Sequence, residues 1–231
     1  MDGHRFSLGE TELIALPVGA LYAPAAEALV VSDLHLGKAE RMARREGVLA
    51  PPYEIEDTLT RLSDAIDAAK PRLVICLGDS FDDDLVAIAL PDTARASLSH
   101  MMAGRRWIWI AGNHDPAPPD LGGACLAEHR IGALVFRHIA EPTATGEVSG
   151  HYHPKVRLRG RRRCFLVDRN RAILPSFGAY TGGLDIVHPV YDALFEHDAM
   201  ALITGAKITP APRAALIARA PADRNRYGLT G

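Results

Sequence analysis

Three apolar runs in the first half of the chain each stop on a residue that can bind a cation, and this repetition constrains the fold most. Ala28-Leu-Val-Val-Ser32 runs into Asp33-Leu34-His35, Arg72-Leu-Val-Ile-Cys-Leu77 into Gly78-Asp79, and Trp107-Ile-Trp-Ile-Ala111 into Gly112-Asn113-His114-Asp115. Short apolar runs bounded by turn residues read as buried strands. Helical text separates them: Lys38 to Glu46, then Ile55, Leu59, Leu62 and Ile66 at spacings of 4, 3 and 4, and later Thr93 to Ala103. In an open parallel sheet the carboxyl ends of the strands share one edge, where ligands bind. The β-α-β-α-β order therefore predicts that Asp33, His35, Asp79, Asn113 and His114 converge.

The second half changes character. Short apolar runs (Ala133–Phe136, Phe165–Val167, Ala172–Leu174, Ala199–Ile203) alternate with Gly, Pro and charged turns, as in a strand-rich return. A chain of 231 residues has room for one well-buried core and crowds two. We expect a single α/β domain over residues 1–209 and a flexible tail over 210–231, which is rich in Ala, Arg and Pro. With 48% apolar and 23% charged residues the chain reads as globular, not disordered. A net charge of -2 gives no global field for a nucleic-acid partner. Cys76, Cys125 and Cys164 show no CxxC spacing and suit a reducing compartment. Met1 to Arg5 lacks a charged-then-apolar export pattern, and the apolar stretch from Ile14 to Val31 is broken by Pro17, Pro24 and Glu27. Cytoplasmic residence without a membrane span is the expectation.

Asp33 and His35 stand at i and i+2, so on extended backbone both can face one ion. Taken alone this pair is weak, since a strand-end Asp often caps the next helix. Gly78-Asp79 adds a second carboxylate beside a residue that permits close backbone approach. The GNHD block is sharper, because four polar or tiny residues interrupt a strongly apolar strand. Gly150-His151-Tyr152-His153 again offers two imidazoles at i and i+2.

In that order the blocks DxH, GD, GNHD, a lone His and GHxH resemble the calcineurin-like metallophosphoesterases. The resemblance spans residues 33 to 153 and implies a four-layer α/β/β/α sandwich with a two-metal centre. It implies that Asp33, His35 and His153 hold one ion, that Asn113, His138 and His151 hold the other, and that Asp79 bridges them. His114 is implied to be catalytic rather than ligating, contacting phosphate and aiding the leaving group, with Asp115 or Asp83 orienting its ring. One block departs from the family: Phe136-Arg137-His138 stands where Gly-His is usual, which also offers Arg137 as a phosphate contact. Mixed Asp/His/Asn ligation suits two divalent ions, with Mn²⁺ expected and Fe or Zn²⁺ as alternatives.

Further text narrows the resemblance. Ser32-Asp-Leu-His-Leu-Gly-Lys38, Gly47-Val-Leu-Ala-Pro51, Gly78-Asp-Ser-Phe-Asp82 and Leu174-Pro-Ser-Phe-Gly-Ala-Tyr-Thr-Gly-Gly183 are similar to the ligase-associated DNA-damage-response endonucleases. That family implies a Mn²⁺-dependent phosphodiesterase acting on DNA in repair, associated with a DNA ligase and a helicase. Lys155 to Arg171 holds eight basic residues against one acid. Within this stripe Lys155, Arg157, Arg159, Arg161, Arg162 and Arg163 are candidate phosphate or DNA contacts on a hairpin; a merely solvated, charge-protected edge is the plain alternative. Lys38, Arg41, Arg44 and Arg45 either extend that surface or form the wet face of a helix. A small-molecule phosphoesterase, such as a nucleotide-lipid pyrophosphohydrolase with an apolar groove, is the second functional reading, and a non-catalytic scaffold the third. Asp82, Asp83 and Asp84 are placed to assist the metals, yet acids at a helix start are ordinary caps; capping is favoured for Asp84, and Asp83 is left open.

Overall fold

Side chains alternate across a strand, and the first sheet uses that alternation to build two cores at once. In β4 (Ala28–Val31), Leu29 and Val31 join one core while Ala28 and Val30 join the other. In β5 (Leu73–Cys76) the division is Val74 and Cys76 against Leu73 and Ile75, and in β6 (Arg106–Ile110) Trp107 and Trp109 against Ile108 and Ile110. Both faces of these strands are therefore covered, which is why they read as unbroken apolar runs.

The computed structural model describes residues 2–49, 51, 53–83, 88–115 and 121–219. Seven strands form the first sheet in chain order: β1 (His4–Leu8), β2 (Thr11–Ala15), β3 (Leu21–Ala23), β4, β5, β6 and β7 (Ala124–Leu126). The first four are antiparallel neighbours, and β4 to β7 run parallel. The second sheet has the order β15-β14-β12-β13-β10-β9-β8. Its strands are β8 (Glu128–Ile131), β9 (Leu134–Arg137), β10 (Glu147–Ser149), β12 (Arg161–Val167), β13 (Arg171–Ile173), β14 (Met200–Ile203) and β15 (Thr209–Pro212), while β11 (Lys155–Arg157) pairs only with β12.

The two sheets face each other. Val30, Ile75 and Ile108 of one meet Phe136, Val148, Phe165 and Leu202 of the other in a single apolar cluster. The outer face of the first sheet is covered by α2 (Glu54–Ala69) and α3 (Asp92–Met102). In α2 the buried Leu59, Leu62 and Ile66 keep the helical spacing, and each contributes roughly 1.5–3 kcal/mol by burial. Glu56 and Asp57 favour its N-terminus electrostatically, and Lys70 ends it in the left-handed conformation. The outer face of the second sheet is covered by α4 (Val190–Leu194) through Tyr191 and Leu194. The result is the four-layer α/β/β/α sandwich.

The expected flexible tail begins too early at 210. Residues 209–212 pair with β14 as β15, and α5 (Arg213–Ala218) follows. Buried Arg213 anchors this segment by donating to the Ile186 carbonyl at 2.9 Å and to Asp192 at 2.7 Å. Residues 220–231 and Asp84 lie outside the described residues. No helix among the described residues is long and apolar enough to cross a membrane.

Candidate active site

Parallel pairing does not stop where β4 and β5 end. Asp33 donates its N–H to the Gly78 carbonyl (3.3 Å) and His35 donates to the Asp79 carbonyl (2.9 Å), which lays the DxH and GD segments side by side. The β5–β6 register, Cys76 opposite Trp109, brings Gly112 and Asn113 to the same edge. Gly112 has no room for a side chain: a Cβ there would lie 2.2 Å from the Asp79 amide nitrogen. The second sheet supplies the other wall. Strands β9 and β10 are parallel, so His138 after β9 and His151 and His153 after β10 emerge together, and Gly150 donates to the His138 carbonyl (3.0 Å). The site thus lies where the carboxyl edges of both sheets meet.

Two clusters result. Ligand-capable atoms of Asp33, His35 and His153 lie within 4.8 Å of one another, and so do those of Asp79, His138 and His151. Around His138 Nε2 stand Asn113 Oδ1 at 3.0 Å, His151 Nδ1 at 3.2 Å and Asp79 Oδ2 at 3.3 Å. Asp79 Oδ2 also lies 4.0 Å from His35 Nε2, so this carboxylate sits between the clusters. All seven residues expected to hold metal are therefore brought together, including His138 behind Arg137.

Whether a cation fits can be judged from the ring nitrogens. Nδ1 of His35 bonds Asp82 Oδ1 at 2.7 Å, and Nδ1 of His138 bonds the Leu77 carbonyl at 2.7 Å. Each bond places the proton on Nδ1 and leaves the Nε2 lone pair facing its cluster, as a ligating imidazole requires. Nε2 of His35 and of His153 are buried without a hydrogen-bond partner; His153 Nε2 lies 2.9 Å from Asp33 Oδ1 but without a bonding angle. Buried polar atoms without partners are rare, and here they share one cluster. The residues fit two divalent cations.

Electrostatics agree. Burial alone would raise the Asp33 carboxyl, yet His153, His138 and His35 hold it well below the usual carboxylate range. Asp79 is likewise lowered: burial opposes, but His138 and the His114 N–H prevail. Burial disfavours charge on His138, but Asp79 and Asp33 overcome it and push the imidazole up to about 9. The carboxylates draw positive charge into the cluster. Five of the seven residues (Asp33, His35, Asp79, His151, His153) also have positive φ. Such backbone is rare outside glycine and persists only where the surroundings enforce it.

His114 belongs to neither cluster. Its N–H donates to Asp79 Oδ1 (2.9 Å), and its Nδ1 lies 3.1 Å from the Asp82 carbonyl oxygen, leaving Nε2 as the free nitrogen. The ring is thus oriented by a backbone carbonyl, not by Asp115 or Asp83 as expected. Asp115 is buried and accepts from the Ser80 and Phe81 amides at 2.7 and 3.1 Å, and burial pushes it up to about 7. Asp83 binds Arg44 and Arg45.

Asp82 is the residue to which the sequence reading gave no role of its own. Fully buried, it orients His35 and is itself held by Arg41 and by Lys38 Nζ at 3.5 Å. Those two cations stand on α1 (Lys38–Glu46), so the basic face of that helix mainly clamps the Asp82-Asp83 segment. The signal was available as the carboxylate of the Gly78–Asp82 block.

The basic stripe divides. Arg163 is half-buried, and it donates to the carbonyls of Phe177 and Gly178 and to Thr181 Oγ1. Lys155 donates to the Thr181 carbonyl at 2.8 Å. Arg162 donates to the Thr204 carbonyl at 2.9 Å, and Arg157 stands 3.9 Å from Asp185. Arg159 and Arg161 are exposed, with no side-chain partner among the described residues. Cross-strand pairing sets Lys155 opposite Arg163 and Arg157 opposite Arg161, like charge facing like. Burial, then Arg163 and Arg161, lower Lys155 to about 8. Arg137 is enclosed by carboxylates instead: Glu141 at 2.6 Å, Glu128 at 2.7 Å and Glu147 at 3.7 Å. A cavity of about 440 Å³ opens there beside Asn113 and His138.

When bound, two cations supply Lewis acidity to a phosphoryl group and to water. The chain's own contribution is to hold Asp79 between the clusters, fix the imidazole tautomers and keep His114 Nε2 available for a proton. A model of the calcineurin-like phosphoesterase family matches residues 27–192. Among solved structures, the chain is similar to one titled "Crystal structure of Pseudomonas putida nuclease MPE", with a TM-score of 0.72 and 27% identity. That similarity covers 91% of this chain and 100% of the other. No curated protein sequence matches. With both clusters inside the matched segment, the chain belongs to the calcineurin-like phosphoesterases and is a metal-dependent phosphoester hydrolase.

Proposed function

We propose that this enzyme is a Mn²⁺-dependent nuclease that hydrolyses phosphodiesters of DNA and serves DNA repair in the cytoplasm beside a DNA ligase and a helicase. The observation that carries the reading is the β11–β12 hairpin. It starts two residues after His153 and presents Arg157, Arg159, Arg161 and Arg162 to solvent. Exposed cations aligned beside a hydrolytic centre are what backbone phosphates require. The nuclease from Pseudomonas putida, similar over its full length, supports the same substrate class.

The cavity beside Asn113 and His138 favours a second reading, hydrolysis of a small phosphoester. Its walls combine Glu128, Arg137 and Glu141 with Ala111, Ala127 and Ile139, a mixed lining that suits a small ester with both polar and apolar parts.

The test strips the protein of metal, reloads it with Mn²⁺, Fe²⁺ or Zn²⁺, and offers four substrates. These are bis-p-nitrophenyl phosphate, p-nitrophenyl phosphate, circular single-stranded DNA and supercoiled plasmid. Cleavage of the diester and of DNA, highest with Mn²⁺, is expected. Hydrolysis of the monoester with all DNA left intact would show a small-molecule enzyme instead.

A further inference from the structure

Among the described residues, positive φ outside glycine falls into two groups and one remainder. Glu27 and Lys70 close helical turns. Five others are the candidate ligands. The remaining residue is Tyr180, at φ 50. A bulky side chain on left-handed backbone is an outlier, and outliers of this kind gather at working sites.

The surroundings of Tyr180 enforce the conformation. Ala179 donates its N–H to Thr58 Oγ1 (3.0 Å), and Thr181 Oγ1 lies 3.1 Å from the Gly178 carbonyl and 2.5 Å from Ser176 Oγ. Lys155 and Arg163 of the basic hairpin bind the carbonyls of Thr181, Phe177 and Gly178. Both ends of the loop are tied to ligand residues. Gly178 donates to the Asp33 carbonyl at 3.1 Å, and a Cβ on Gly183 would lie 2.2 Å from the His153 carbonyl oxygen. Yet Tyr180 itself remains 48% exposed. A large aromatic side chain is thus left in solvent between two ligand-bearing segments, on a loop bolted to the cationic hairpin.

We propose that Tyr180 is a nucleobase platform, on which a base flanking the scissile phosphate stacks while the backbone passes over Arg159 and Arg161. This inference rests on the nuclease reading above. Aromatic faces interleaved with a cationic track are how single strands are held without sequence preference. The hairpin supplies the track; within the loop, Tyr180 supplies the face.

The test compares Tyr180→Phe, Tyr180→Ala and Tyr180→Gly with the Mn²⁺-loaded wild type on three substrates. These are a single-stranded oligonucleotide, the same strand carrying abasic residues, and methyl p-nitrophenyl phosphate, which has no base. One lost stacking contact corresponds to about a fivefold to hundredfold loss. KM for the oligonucleotide should therefore rise by about that factor in Tyr180→Ala and Tyr180→Gly, and by less than about twofold in Tyr180→Phe. Turnover of the base-free diester should not change. The wild type should prefer the intact strand to the abasic one, and Tyr180→Ala should lose that preference. Tyr180→Gly relieves the left-handed backbone, so it should melt no lower than wild type, which separates lost stacking from lost fold.

Wild-type KM for the oligonucleotide in Tyr180→Ala would overturn the platform alone. So would a loss in Tyr180→Phe equal to that in Tyr180→Ala, since it would assign the effect to the hydroxyl. A wild type that hydrolyses the small diester but no oligonucleotide would remove the nuclease reading and the platform with it.

Discussion

Nδ1 of His35 lies 2.7 Å from Oδ1 of Asp82, a residue 47 positions further along the chain. Asp82 is fully buried and held from its other side by Arg41 and Lys38, so the His35 ring is gripped by a network that contains no ligand other than itself. Partners one step removed from a metal commonly set affinity by about 10–100-fold. Asp82→Ala should therefore weaken binding at the Asp33/His35/His153 cluster by about that factor. Chelator competition with Mn²⁺ reads this, and unaltered affinity for both ions would refute it.

His114 stands outside both clusters, with Nδ1 occupied by the Asp82 carbonyl. His114→Ala should keep both ions by elemental analysis and lose about 10²–10⁴-fold in kcat on a diester, the range for a positioned proton donor. Loss of metal from this variant would make His114 a ligand after all.

Arg159 and Arg161 lack side-chain partners among the described residues, whereas Arg163 ties down the Phe177–Thr181 loop. Replacing Arg159 and Arg161 together by alanine should flatten the log K against log [salt] slope for single-stranded DNA by about 1.4, near 0.7 per phosphate contact. Hydrolysis of a small diester should stay as it was. Arg163→Ala should instead lower Tm and impair both substrates.

Glu54 is buried at the start of α2, and burial pushes its carboxyl up to about 7. The folded state therefore holds a proton that the unfolded chain releases near its ordinary pKa of 4.5. Stability from this group is present below about pH 4.5 and is lost as pH rises through about 7. Glu54→Gln should melt higher than wild type above pH 7, and the difference should shrink on acidification through that window. A pH-independent difference would mean that the carboxyl does not titrate there.

What the sequence disclosed follows from how local each signal was. Asp33, Asp79 and Asn113 were legible because each ends an apolar run, and parallel strands deliver their ends to one edge. His151 and His153 were legible as a pair at i and i+2. The roles that depend on contacts across the fold were not. Asp82 has no assigned role until β4 and β5 are laid side by side, and only then does its carboxylate meet His35. The stripe from Lys155 to Arg171 reads as eight equivalent cations, yet Arg171 is buried and donates to the carbonyls of Glu141, Pro142 and Ala144. Composition cannot tell a cation that binds carbonyls from one that meets solvent.

The division of charge around the centre has a mechanical meaning. On the Asn113 and His138 side, Arg130, Arg137 and Arg171 are matched by Glu128, Glu141 and Glu147, so that flank is nearly silent at a distance. On the His153 side, the hairpin tip keeps two cations uncompensated among the described residues. A field that is strong on one flank and weak on the other turns an approaching polyanion as well as attracting it. Under the nuclease reading proposed above, charge standing off to one side at the hairpin tip would draw a strand toward that flank before any atom touched the centre.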